Sequence, residues 1–150
     1  MQKIHASIQI NAPKEKVWET MLNDQTYREW TKGFNPGGYY KGSWEEGSKI
    51  QFIGPSQNGS GEEGMVSRIK ANRQYEYISI EHVGIYRNGV EDTTSEEARK
   101  WAPAYENYTF TEKDGGTELS IDMDVSDEYK VSFEEMWAKS LQNLKELSEK

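Results

Sequence analysis

The last twenty residues have a hydrophobic pattern that predicts one long amphipathic helix over residues 131–148. Apolar side chains recur there at steps of three and four, the spacing that places them on one face of a helix. They are Phe133, Met136, Trp137, Leu141, Leu144 and Leu147. Ser132 and Glu135 have the spacing of a capping box, and Val131 and Met136 that of a hydrophobic staple. An apolar stripe of this length needs a broad surface to lie on.

The rest of the chain largely shows the period of two that predicts β-strands. The first strand covers residues 4–10, and two short helices follow it, over residues 13–22 and just after Asp24. Six further strands lead to the terminal helix, with Asp114-Gly115-Gly116 as a clear turn between the last two. An insert over residues 87–103 carries one or two helical turns.

This order of elements predicts an α+β fold. A run of hairpin-linked strands forms an antiparallel sheet with one face to cover, and only the terminal helix is long enough to cover it. We therefore expect a strongly curved antiparallel sheet of six or seven strands wrapped around the long C-terminal helix. The two short helices after the first strand close one end. No internal repeat is visible, so residues 1–150 are expected to form a single domain.

The composition narrows the possible partners and compartments. The chain has 26 acidic and 18 basic residues and a formal net charge of -8, so it repels phosphate backbones and no nucleic-acid partner is expected. No stretch is as long and apolar as a membrane span, so membrane insertion is not expected either. The chain has no cysteine and opens without a secretory signal, which together predict a cytoplasmic location.

Candidate catalytic and metal-binding residues are few. The only histidines, His5 and His82, are far apart in the sequence, and neither has an acidic partner at helical ligand spacing. Since cysteine is also absent, no metal site is predicted, and no cofactor is expected. Neither a nucleophile triad nor a phosphate-binding loop is well matched, so no catalytic residue is assigned.

A cavity between the terminal helix and the sheet is predicted to have nine lining residues. A strongly curved sheet contacts one straight helix closely over only part of its width, and the chain supplies rings and thioethers to the remaining space. The nine are Trp30, Tyr40, Phe52, Met65, His82, Tyr108, Met123, Met136 and Trp137. The rings serve either as plain core or as a cavity wall, and His82 either as a hydrogen-bonded core residue or as a polar contact for a ligand. The strand register leaves open whether Arg68 and Glu106 also point inward.

Several segments resemble a known superfamily over the whole chain. The sequence IQINAPKEKVWETML followed by YREW, the hairpin DGGTELSIDMDV and the ending FEEMWAKSLQNLKELSEK are similar to the START-like helix-grip (SRPBCC) superfamily. They most resemble the branch related to Hsp90 ATPase activator homologues and polyketide cyclase-like proteins. The resemblance implies a helix-grip fold, but this superfamily includes lipid carriers, hormone receptors, cyclases and co-chaperone modules on one scaffold.

Three functions therefore remain open at this stage. The first is a small soluble binding protein that holds an apolar or amphipathic small molecule in the cavity, which would open near the Gly33–Gly38 loop and the 87–103 insert. The alternative is a protein-interaction module of the Hsp90 ATPase activator type, whose partner would be a chaperone or another protein. The second alternative is a cyclase- or dehydratase-like enzyme in which His82 and an inward carboxylate act as acid and base.

Overall fold

The computed structural model describes residues 2–56 and 59–150. The strands are β1 (Gln2–Ile10), β2 (Tyr39–Gly42), β3 (Lys49–Pro55), β4 (Glu62–Arg73), β5 (Tyr77–Arg87), β6 (Val90–Asp92), β7 (Ala104–Lys113) and β8 (Gly116–Val125). The α-helices are α1 (Lys14–Leu22), α2 (Asp24–Trp30), α3 (Glu96–Trp101) and α4 (Lys130–Ser148), with 3₁₀ turns at Thr31–Gly33 and Asp127–Tyr129.

All the strands belong to one antiparallel sheet in the order β1-β8-β7-β5-β4-β3-β2. Seven strands form this path, and the eighth, three-residue β6, pairs only with β5. β6 and α3 lie within the predicted insert, and the side chain of Ser95 caps α3 by accepting a hydrogen bond from the Ala98 amide. The sheet curves around α4, so the predicted α+β helix-grip fold is confirmed.

The core lies between the inner face of the sheet and α4. Alternate residues of β8 are buried, because a strand turns successive side chains to opposite faces. Leu119, Ile121, Met123 and Val125 are all less than a tenth exposed. From α4 the buried apolar residues are Trp137, Leu141 and Leu144, which the helical spacing predicts. Asp114 and Gly115 both have positive φ, the conformation that a two-residue hairpin turn requires.

α4 begins one residue before its predicted start, and the predicted capping box at Ser132 is wrong. The 3₁₀ turn Asp127–Tyr129 runs directly into the helix, so Ser132 already lies inside its first turn and cannot be the extended N-cap residue. Val131 is 68% exposed and therefore forms no hydrophobic staple. A similar shift affects α2, where Asn23 rather than Asp24 is the cap and accepts a hydrogen bond from the Gln25 amide.

Gly33 allows α2 and the following 3₁₀ turn to approach α4 closely. A Cβ atom at this position would lie 2.8 Å from the backbone nitrogen of Ser140 in α4, closer than real side chains pack. The close approach holds Trp30 and Phe34, which flank the turn, against the first half of α4. No helix among the described residues has both the length and the apolar character needed to cross a membrane.

Candidate functional site

A cavity of about 210 Å³ lies between α2, the inner face of the sheet and the first half of α4. Nine of the described residues that line it are aromatic. The rings are Tyr27, Trp30, Phe34, Tyr39, Trp44, Phe52, Tyr108, Phe133 and Trp137. Met21, Met65, Met123 and Ile80 supply most of the remaining apolar wall. Such a concave, mostly apolar space with a few polar groups is typical of small-molecule sites.

Trp137 is the central ring of this wall. Its centroid lies 4.7 Å from that of Phe34 in an edge-on contact, 5.9 Å from that of Tyr108 and 6.2 Å from that of Trp30. Its indole N–H donates to the sulfur of Met123 at 3.1 Å. The ring therefore joins α2, α4 and the sheet at one point.

Ordinary helical and strand geometry explains why these residues meet. Tyr27, Trp30 and Thr31 are three and four positions apart on α2 and the turn after it, so they share one face. Phe52 of β3 and Met65 of β4 are directly paired across the sheet. Alternate residues of β7 face inward, which brings Glu106 to the same side as Tyr108.

Glu106 belongs to a hydrogen-bonded cluster of which it and Tyr108 line the cavity. Its Oε1 atom lies 3.1 Å from Nε2 of His82, and its Oε2 atom accepts a hydrogen bond from the hydroxyl of Tyr108. The other ring nitrogen of His82 lies 2.7 Å from Oγ of Ser67. Every polar side-chain atom of His82 thus has a partner, as buried polar groups require. We call these four residues the Glu106 cluster.

The two phenols nearest to Glu106 hold their protons strongly. Burial raises the pKa of the Tyr108 hydroxyl well above its usual value, and the adjacent Glu106 carboxylate raises it further. Burial also raises the pKa of Tyr27, to which Glu106 and then Tyr40 contribute. Both hydroxyls therefore stay protonated at neutral pH and can donate hydrogen bonds.

The cavity opens where its lining residues are also in contact with solvent. These residues lie in the segment from Phe34 to Tyr39 and at Glu63 and Gly64 of β4. The predicted opening near the Gly33–Gly38 loop agrees with this position, whereas the predicted opening at the insert does not. α3 instead packs against β5, where the ring of Trp101 lies 6.1 Å from that of His82.

Six of the nine predicted residues line the cavity, and three lie elsewhere. The six are Trp30, Phe52, Met65, Tyr108, Met123 and Trp137. Tyr40 stands behind the wall, where its hydroxyl donates to the carbonyl of Leu22 at 2.6 Å. His82 is 2% exposed and is covered by Phe52 and Trp101. Met136 is only half-buried, because neighbouring helical residues point about 100° apart and Trp137 faces the cavity.

Several lining residues were not predicted, although some signals for them exist. Tyr27 precedes Trp30 by three positions, and Phe133 precedes Trp137 by four, so helical spacing could have included both. Of the two residues whose orientation the sequence left open, Glu106 faces the cavity and Arg68 faces outward. Arg68 points away from the cavity and its guanidinium lies 2.6 Å from the carboxylate of Glu81.

Within residues 2–56 and 59–150, no three His, Asp or Glu side chains come close enough to hold an ion. The groups that could contact a bound organic molecule are the rings, the thioethers and the Glu106 carboxylate.

Solved structures of similar fold cover almost the whole chain. A protein from Chromobacterium violaceum is 17% identical, with 100% of this chain and 99% of that chain aligned and a TM-score of 0.69. The Aha1 dimer from Colwellia psychrerythraea is 17% identical, with 99% and 97% aligned and a TM-score of 0.70. The AHSA1-like protein from Aeromonas hydrophila is 15% identical, with 97% and 91% aligned and a TM-score of 0.70. At such identities the likeness shows the fold alone.

The family assignment comes from the sequence itself. No curated protein matches the chain. The family described as "Activator of Hsp90 ATPase homolog 1-like protein" matches residues 11–149, which is nearly the full length. This match agrees with the START-like resemblance and with the helix-grip fold. The chain is a member of the Activator of Hsp90 ATPase homolog 1-like protein family.

Proposed function

We propose that this protein binds an apolar or amphipathic small molecule in the cavity between α4 and the sheet. The observation that carries the proposal is the cavity of about 210 Å³, walled by aromatic rings and bordered by the Glu106 carboxylate. A void of this size would cost stability if it served only as core, because its lining loses packing contacts. A ligand would restore those contacts. The lack of cysteine suits a reducing compartment, so we propose a cytoplasmic location.

The test is a titration with a neutral, environment-sensitive apolar fluorophore. Wild type should show saturable binding. In the variant with Met65→Phe and Met123→Phe, the added rings fill the cavity from two sides. This variant should bind the fluorophore at least about tenfold more weakly, because the fluorophore can no longer bury its apolar surface in the cavity. A matched control, Met136→Phe, adds the same bulk outside the cavity wall and should bind like wild type.

Absence of saturable binding to wild type would defeat the proposal. Equal binding by wild type and the filled variant would also defeat it, because the fluorophore would then be binding to another surface. Circular dichroism of both variants confirms that they are folded before the titrations are compared.

A protein-interaction module is the second candidate. It is favoured by the family description and by two exposed apolar residues at the start of α4, Tyr129 at 53% and Val131 at 68% exposure. Its test is whether the purified protein stimulates the ATPase of Hsp90, and whether Val131→Ser removes the stimulation. An unchanged ATPase rate would reject this candidate.

The cyclase or dehydratase candidate loses its named base. His82 does not line the cavity and its two ring nitrogens are occupied by Ser67 and Glu106. A general base must come within hydrogen-bond reach of the substrate proton. Acid–base chemistry in this cavity would therefore depend on Glu106 or Tyr108 rather than on His82.

A further inference from the structure

We infer that the cavity selects a small organic cation, an amine whose protonated nitrogen lies against Glu106 and whose apolar body lies among the rings. This inference rests on the proposed function, because it names the class of ligand for the same cavity.

The cavity wall has two charged residues among those that the structure describes, and both are acidic. Of the described residues that line it, Glu63 and Glu106 are the only ones with a formal charge, and none is Lys or Arg. Glu63 is at the solvent-exposed mouth, whereas the side chain of Glu106 is only 13% exposed. A carboxylate with so little exposure to water attracts a bound cation more strongly than one at the surface, because water screens its charge less. The cavity should therefore favour positive charge and reject negative charge.

The other members of the Glu106 cluster do not need to neutralise this carboxylate. The Ser67 hydroxyl can donate to Nδ1 of a neutral His82 ring, whose Nε2–H then donates to Glu106. Tyr108 donates to the other carboxylate oxygen. With His82 neutral, every partner is satisfied and the cluster carries only the charge of the Glu106 carboxylate. Each carboxylate oxygen has a second lone pair, so Glu106 can still accept a hydrogen bond from a ligand.

The aromatic wall suits the same class of ligand. The faces of Trp, Tyr and Phe rings carry partial negative charge and attract cations within about 6 Å of the ring centre. Tyr27, Trp30, Phe52, Tyr108 and Trp137 line the cavity together with Glu106. An ammonium group would thus have a carboxylate to bond with and ring faces around it, while its hydrocarbon part replaces empty space.

Arg28 is a basic residue that contacts Tyr39, one of the lining residues at the mouth. Arg28 lies over the ring of Tyr39, with its guanidinium carbon 5.2 Å from the centroid. Its Nε atom lies 3.2 Å from the carboxylate of Asp24, and Arg28 itself does not line the cavity. The positive charge of Arg28 is therefore already paired with Asp24.

Three probes of similar size and different charge test the inference by calorimetric titration at neutral pH. They are phenethylammonium, phenethyl alcohol and hydrocinnamate, which are positive, neutral and negative. Wild type should bind phenethylammonium about tenfold or more tighter than the alcohol, the range of a charge-assisted hydrogen bond, and hydrocinnamate weakest. Glu106→Gln should reduce the preference for the ammonium over the alcohol to about twofold or less.

Glu112→Gln is the matched control. Glu112 lies exposed on the same strand, so this variant makes the same change in net charge outside the cavity and should keep the preference. Equal or tighter binding of the alcohol by wild type overturns the inference, as does a preference that survives Glu106→Gln. If Glu106→Gln does not fold, the ranking of the three probes on wild type decides alone.

The neutral fluorophore separates this failure from that of the proposed function. Fluorophore binding without preference for the ammonium leaves the cavity as a ligand site and removes only the cation. If neither the fluorophore nor any of the three probes binds, both proposals fail together.

Discussion

At the residue scale, Trp137 connects the hydrophobic core to the cavity. It is 2% exposed and its ring contacts residues of α2, the following turn and β7. Its indole N–H is bonded to the Met123 sulfur rather than left unpaired. Removal of this ring would enlarge the cavity and remove the contacts by which α2, α4 and β7 meet at this point.

We expect Trp137→Ala to lower the free energy of unfolding by about 3–5 kcal/mol, the range for large aromatic truncations in cores. The ring already faces a cavity on one side, so the loss should lie in the lower part of this range. Urea unfolding followed by circular dichroism measures it. Met136→Ala, at the adjacent half-buried position, is the control and should cost clearly less. A loss below about 1 kcal/mol for Trp137→Ala would show that the ring adds little to the core.

At the element scale, the 3₁₀ turn Thr31–Gly33 sets the distance between α2 and α4. The absence of a side chain at Gly33 lets the backbone of this turn approach Ser140. The hydroxyl of Thr31 donates to the carbonyl of Tyr27 at 2.6 Å, which ties the turn back to α2. The position of the cavity mouth therefore depends on one glycine contact.

Gly33→Ala should destabilise the protein by about 1–3 kcal/mol, because the added methyl group would overlap the backbone of α4. It should also weaken fluorophore binding, since separation of the turn from α4 moves Trp30 and Phe34. Thermal unfolding and the titration described above measure both effects. Lys32→Ala, at the exposed neighbouring position, should change the unfolding free energy by less than about 0.5 kcal/mol. An unchanged stability for Gly33→Ala would contradict the close contact.

At the scale of the whole molecule, we expect the pH dependence of stability to come from a few buried or paired carboxyls. Glu81 is 7% exposed on β5. Desolvation would raise the pKa of its carboxyl, but hydrogen bonds from Arg68 and Tyr105 outweigh this effect and lower the pKa below 4.5. Burial would also raise the pKa of the Asp124 carboxyl, but hydrogen bonds from Lys3 and from the Tyr105 amide outweigh this effect and lower the pKa below 3.8.

A carboxyl with a lowered pKa in the folded state stabilises the fold above its unfolded pKa and loses that contribution as the pH falls. We therefore expect the urea midpoint to be steady between pH 6 and pH 7 and to fall progressively below about pH 4.5, as Glu81 and Asp124 become protonated. Arg68→Gln should make this decline shallower, because it removes the main interaction that lowers the Glu81 pKa.

Arg87→Gln is the control for this experiment. Arg87 forms an ion pair with Glu97 in which both side chains are more than half exposed, so its loss should alter the acid profile little. An acid profile of Arg68→Gln that coincides with wild type would show that the pair with Glu81 has no influence on stability.

Much of the fold could be predicted from local patterns. The stripe of α4 and the alternation of β8 each have one buried side, so the period of the apolar residues reveals the type of element. Asp114 and Gly115 reveal their turn because few residue types tolerate positive φ. In each case the physical cause lies within a short segment of the chain. The local pattern also shows which side of its element a residue occupies, and this allowed six of the nine predicted residues to be assigned correctly to the cavity wall.

The tertiary structure decided the features that depend on pairing between distant segments. The inward side chain of Glu106 depends on the pairing of β7 with β5, where Glu106 lies opposite Ile80. The outward side chain of Arg68 depends on the register of β4 and β5, which shifts by one residue between Val66 and Ser67. The position of His82 behind the wall depends on how α3 folds back over β5. Local sequence determined which side chains are available, whereas the register and packing of remote strands determined that an acidic residue, with His82 behind it, borders the cavity.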